Sequence, residues 1–147
     1  MIALTNNQTI PFDEAQFKKD AQALLKHLGY QDFDLGILIT DNKAIHAFNS
    51  TYRNKDKTTD ILSFPFHTEL QAGERIVVED EDEKNLGDII ISPEYVKADL
   101  ERWGQSFEQR MRVLLVHGIC HLLGYDHIKD EDYEVMKKKE QELLSQL

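Results

Sequence analysis

One stretch, His117-Gly-Ile-Cys-His-Leu-Leu-Gly-Tyr-Asp-His127, constrains this chain more than any other. His117 and His121 stand four apart within an apolar run that begins at Ser106 and has helical spacing. Residues i and i+4 of a helix lie one above the other on one face. Gly124 ends that helix, because glycine takes the left-handed conformation that other residues avoid. The chain can then turn sharply, and His127 can return to the side of the first two histidines. Three imidazoles so placed can grip one divalent ion. Three neutral nitrogens leave a fourth tetrahedral position for water, the arrangement of a catalytic rather than a structural zinc. Zinc lowers the pKa of such a water to about 7. His117, His121 and His127 are therefore the expected ligands of one Zn2+ per chain, although imidazole also suits nickel, iron or cobalt. Cys120 is adjacent in sequence but points about 100° around the helix from His121, so it is not expected to be a fourth ligand.

The spacing matches that of the metzincin peptidases except at the second position. There those enzymes carry a glutamate, the general base of peptide hydrolysis; here it is Gly118. Glycine cannot accept a proton and costs ~1 kcal/mol in a helix relative to alanine. Its presence implies either a close approach at that point or room for a substrate. The missing glutamate argues against a peptidase.

The rest of the chain punctuates itself. Asp13 to Leu28 has helical spacing of Phe17, Ala21, Leu24, Leu25 and Leu28, with Gly29 as a stop. Asp34 to Thr40 is a short apolar strand. Asp41 caps a second helix carrying Ile45, Phe48 and Tyr52 on its inner face. Arg53 to Asp60 is a polar loop, and Ile61 to Phe66 is a strand that Pro65 places at an edge or a strand end. Arg75 to Val78 and Leu86 to Ile91 read as two further strands joined by an acidic run. Ser92-Pro93 starts a helix that runs to Trp103, before Gly104. Ser106 with Gln109 forms a capping box for the histidine helix, and Asp130 to Leu144 is the last helix. The expectation is a single α+β domain over residues 1–147. It has one small, mostly mixed sheet of about four strands packed with about five helices, and a metzincin-like metal helix.

Composition narrows the setting. A chain of 147 residues with 41% hydrophobic and 30% charged residues can bury a core without staples. Its one cysteine excludes an internal disulfide framework. No apolar run spans a bilayer, and MIALTNNQTIPFDEAQF lacks the basic start and apolar stretch of a signal peptide. A cytoplasmic address without membrane attachment is expected. The formal charge of −10 opposes nucleic-acid binding in bulk, since phosphate contacts need local positive charge. Five of the acids form one run, Glu79 to Glu83, read as a solvated turn. Bases gather at Arg53, Lys55 and Lys57 and at Arg102, Arg110 and Arg112, so a local basic strip is compatible with the net charge.

Three blocks carry a family resemblance. His117 to His127, with glycine second, resembles the motif of the bacterial YbeY family of rRNA maturation endoribonucleases. Asn49-Ser-Thr-Tyr-Arg-Asn-Lys-Asp-Lys-Thr-Thr-Asp-Ile-Leu-Ser-Phe-Pro65 and Leu86-Gly-Asp-Ile-Ile-Ile-Ser92 resemble two further blocks of that family, in the same order. The chain departs at Cys120, where leucine is usual, and at Thr58, often proline. The resemblance implies a zinc-dependent, single-strand-specific endoribonuclease. It would act in 16S rRNA 3′-end maturation and ribosome quality control, with ribosomal RNA and the small subunit as partners and no DNA. It also implies His117, His121 and His127 as metal ligands and Arg53 as the functional arginine, so Arg53, His117 and His121 are the expected catalytic residues. Zinc-activated water is the expected nucleophile at phosphorus. Guanidinium is always charged and can hold phosphate through two parallel hydrogen bonds.

Two other functions stay open on the sequence: a ribosome-assembly binding factor whose metal is structural, and a metallopeptidase. Asp126 is either a partner that orients a ligand imidazole, or a base, or a turn aspartate. Asp60 and Asp88 are read as structural, Ser63 as lacking a partner base, and His27, His46 and His67 as non-ligands.

Overall fold

The computed structural model describes residues 1–147, and four of its six helices begin where a side chain accepts one of the first free N–H groups. Helix α1 (Glu14–Leu28) starts at Asp13, which accepts from the Gln16 N–H, and ends at Gly29 with φ 79°. Helix α2 (Asn42–Arg53) starts at Asp41, which accepts from Ala44 N–H. Helix α3 (Pro93–Ala98) is capped by Ser92 with proline in its first turn. Helix α5 (Phe107–Leu122) carries the full capping box of Ser106 and Gln109. The caps at Asp41, Ser92 and Ser106 are those the sequence signals predict, and Asp13, where the helical spacing begins, is a fourth.

The helix expected from Ser92 to Trp103 is broken. Asp99, at φ −110° and ψ 8°, ends α3 and begins the short helix α4 (Leu100–Trp103). The break redirects the chain so that Leu100 packs against the core and α4 lies on α5. With α6 (Asp130–Leu144) the helices number six rather than about five.

Four strands form one sheet in the order β1-β2-β4-β3, with β1 (Ile2–Asn6), β2 (Asp34–Ile39), β3 (Ile61–Pro65) and β4 (Asn85–Ile91). The β1–β2 and β2–β4 pairs are parallel and β3–β4 is antiparallel, so the sheet is mixed. Pro65 closes the edge strand β3, where its missing N–H removes no interior ladder bond. The count of four strands matches expectation, but one member differs. Residues 75–78 are not a strand. Both sides of β4 are already taken by β2 and β3, so this segment has no ladder to join there. It is anchored by side chains instead. Arg75 donates to the carbonyls of Leu28 and Gly29 at the end of α1, and the Ile76 N–H donates to the Tyr30 hydroxyl. The fourth strand is β1, which pairs with β2 from Ile2↔Leu35 to Asn6↔Ile39.

The two sheet faces are covered differently. Leu35, Ile37, Ile39, Ile89 and Ile91 join the large core under α1 and α5. On the other face Leu62 and Ile90 pack with Ile45 of α2, flanked by Leu38, Phe48 and Phe64. A groove of ≈ 620 Å³ remains beside α2, lined in part by Gly36, Tyr52, Phe64 and Asp88. Asp88 thus lies within β4, not at its flank, and is exposed in that groove. No helix is long and apolar enough to cross a membrane.

Helix α5 occupies the centre: ten of its 16 residues are buried. Gly118 is where it meets the sheet. A Cβ there would come within 2.9 Å of Ile89 Cδ1 and 3.0 Å of Ile61 Cδ1. The glycine thus answers to close approach by strand side chains. Gly118→Ala is expected to lose ~1 kcal/mol in a denaturant titration, overpacking of about 1–3 kcal/mol being partly offset by helix propensity. Gly118→Glu, which places a charge between α5 and the sheet, is expected not to fold. A stable Gly118→Glu protein would contradict this packing.

Candidate metal centre

The C-terminal half of α5 presents His117 and His121, both half-buried, on one face. After the Leu123 cap, Gly124 turns the chain at φ 90°. That φ is one L side chains rarely adopt, and a Cβ would also strike the Leu70 carbonyl oxygen. The segment after β3 therefore lies directly against the turn. The turn brings back exposed His127, and one ring nitrogen from each of the three histidines lies within 4.8 Å of the others. The His117 and His127 rings are stacked, with centroids 5.7 Å apart.

Hydrogen bonds define how two of these rings point. His117 Nδ1 is 3.0 Å from Glu140 Oε2, and His121 Nδ1 is 2.9 Å from the Tyr125 carbonyl oxygen. A carbonyl and a carboxylate oxygen can only accept, so both Nδ1 atoms donate. In neutral rings both Nε2 atoms then carry lone pairs, and they face each other 3.0 Å apart. Two lone pairs so placed repel each other, and a cation between them removes the repulsion. Nitrogens bound at 2.0–2.1 Å to one tetrahedral ion sit ~3.3 Å apart, close to this separation. The residues present fit a zinc-sized ion.

Electrostatics favour a neutral ring at His121. Burial, reinforced by the neighbouring His117, lowers the pKa of His121 to about 4, so the ring keeps its lone pair at neutral pH. Cys120, about 100° around the helix from His121, is fully buried, and burial pushes its thiol up to about 12. It is not among the groups that converge with the three histidines. His27 pairs with Glu142, His46 with Asp56, and His67 with the Glu83 carbonyl. All three are engaged away from the cluster.

The remaining candidates separate. Asp126 accepts from the Ile128 N–H at 3.3 Å, which is a turn role. The two imidazole partners are Tyr125 O and Glu140 instead, and the sequence reading missed both. Asp60 pairs with Arg110 at 3.4 Å, tying the start of β3 to α5. Ser63 lies in β3, opposite Ile89 of β4. The acidic run forms a short 3-10 turn over Glu81–Glu83, and Lys84 bridges Asp32 and Glu81. Arg53 ends α2, exposed, and makes no ion pair with any acid of the chain. No contact joins it to the histidines. The loop that follows it leads into Ile61, which packs against Gly118 beside His117.

Residues 3–147 match the sequence model of a family described as endoribonuclease YbeY. The chain belongs to the YbeY family. The human endoribonuclease YbeY is 37% identical over 140 residues, 95% of this chain and 83% of the relative. The Aquifex aeolicus endoribonuclease YbeY is 39% identical over 133 residues, 90% of this chain and 82% of the relative. That of Caldicellulosiruptor bescii is 40% identical over 119 residues, 80% and 75% respectively. The solution structure of a protein from Thermotoga maritima shares the fold, with a TM-score of 0.58 and 21% identity over 99% of this chain and 90% of that one. Membership of the family thus rests on the whole domain, not on the histidine motif alone.

The lowered pKa of His121 predicts a pH dependence for metal-free protein. Unfolded, the ring protonates near its ordinary value of 6.5; folded, it does so only at about 4. Between those values the unfolded state binds more protons, so stability falls as pH falls from about 6.5 to about 4. The denaturant midpoint of the metal-free protein should drop across this window, and His121→Gln should remove part of that drop. Identical pH profiles for the two proteins would contradict it.

Proposed function

We propose that this chain is a zinc-dependent endoribonuclease, in which His117, His121 and His127 hold the ion and Arg53 holds the phosphate of the scissile bond. The observation that carries this reading is the meeting of His117 Nε2 and His121 Nε2 at 3.0 Å, with His127 in reach, in a chain of the YbeY family. When bound, zinc supplies a Lewis acid and brings the pKa of water to about 7. The protein's part is to keep His121 neutral and the three imidazoles convergent. Arg53 is suited to phosphate because no carboxylate of the chain claims it. Its planar donor fork can stabilise charge that grows on the non-bridging oxygens.

The substrate proposed is single-stranded RNA, specifically 16S rRNA at its 3′ end on the small ribosomal subunit, in maturation and quality control in the cytoplasm. The charge of −10 supports presentation by a particle rather than capture of free RNA, since affinity for free RNA depends on phosphate contacts. The same charge favours a second reading, a ribosome-assembly binding factor whose metal is structural. A peptidase is disfavoured: position 118 is filled by strand side chains and has no base to offer.

Cleavage of a single-stranded RNA should disappear on chelation and return with zinc. Arg53→Ala should keep its zinc while losing on the order of 10²-fold in rate. If rigorously metal-free protein cleaves as fast as the zinc form, the enzyme proposal fails. If metal removal unfolds the chain, and the zinc form cleaves nothing yet co-sediments with small subunits, the binding factor replaces it.

A further inference from the structure

The motif supplies His117, but the group that aims its ring comes from elsewhere. Glu140 Oε2 lies 3.0 Å from His117 Nδ1, 23 residues further along the chain, on α6. The comparison with His121 is instructive. Its Nδ1 is held by a backbone carbonyl within the Gly124 turn, a feature any residue at position 125 would provide. His117 depends on one side chain.

That side chain is itself well placed. Met136 and Leu143, 1% and 0% exposed, bracket Glu140 and bury the same side of α6 in the core. Glu142 ties α6 to α1 through His27 at 2.9 Å and is braced by Lys139 at 3.0 Å. The His117 and Glu140 side chains are 27% and 22% exposed, so water competes only partly for their hydrogen bond.

We propose that Glu140 is a positioning residue of the metal centre. Its carboxylate fixes the tautomer and ring angle of His117, so that α6, outside the histidine motif, sets how tightly the ion is held. A carboxylate accepting from the second ring nitrogen orients a ligand imidazole and raises its basicity. By linkage, bound metal should in turn hold α6 in its docked position. This inference rests on reading the three histidines as a metal site.

The test measures zinc affinity by competition with a chromophoric chelator for the full-length wild type, Glu140→Gln and Glu140→Ala. Alongside it, 15N shifts of the histidine ring nitrogens and far-ultraviolet circular dichroism are recorded on the metal-free forms at pH 8. Glu140→Ala should bind zinc about 10–100-fold more weakly. Glu140→Gln should fall between, because its amide oxygen can still accept from Nδ1 but without charge. The His117 ring should hold its proton on Nδ1 in the wild type and divide it between both nitrogens in Glu140→Ala, while His121 is unchanged. Unchanged zinc affinity in Glu140→Ala overturns the proposal. So does an equal loss in both variants accompanied by melting of helix, which would assign Glu140 to the docking of α6 alone. A wild type that binds no zinc instead removes the metal reading, and this inference with it.

Discussion

Helix α5 can lie against β3 and β4 because residue 118 has no side chain, and the rest of the molecule is arranged around that contact. Ile89 and Ile61 occupy the space a Cβ would need. The helix thereby gains a buried face toward the sheet, with Leu114, Leu115, Ile119 and Leu122 each at most 2% exposed. Burial on this scale outweighs the propensity cost of one glycine, since each large apolar side chain contributes about 1.5–3 kcal/mol. The histidines are on the part of the helix that the sheet leaves free. A rigid, buried helix is a good support for ligands that must converge within tenths of an ångström.

From that contact the candidate centre is assembled by two helices and the turn between them. Helix α5 provides two rings at helical spacing. The Gly124 turn, pressed by the Leu70 carbonyl, returns the third and offers the Tyr125 carbonyl to His121. Helix α6 sends Glu140 to His117. Each of the two helix histidines thus has its proton placed by a different partner, and their lone pairs are left facing one another. Arg53 belongs to another region, the end of the helix that covers the opposite face of the sheet. The ordered connection between them is the edge strand β3: Ile61 touches Gly118, and Asp60 grips Arg110.

Where local chemistry decides, the chain is readable. The caps at Asp13, Asp41, Ser92 and Ser106 and the glycine stop at 29 are set by a few neighbouring residues. Strand β1 was missed because Ile-Ala-Leu-Thr-Asn is short and only mildly apolar; it is a strand because β2 has a free side for it. Residues 75–78 failed the opposite way. Arg-Ile-Val-Val has strand propensity, but Val77 is 85% exposed and the segment is held by the end of α1 and by Tyr30. Strand propensity expresses fit to a neighbour, and no pattern within four residues says whether a neighbour exists. The helix break at Asp99 likewise depends on where α4 must pack.

The histidine motif is therefore the part that sequence alone determined. Spacing of four in a helix, then a glycine turn, brings three imidazoles together through backbone geometry over eleven consecutive residues. Tertiary structure decided what surrounds them. It explains Gly118 by two isoleucine side chains from separate strands, assigns Asp126 to a turn, and brings Glu140 to His117. These outcomes depend on groups far apart in the chain, and their meeting is a property of packing, which no local pattern encodes.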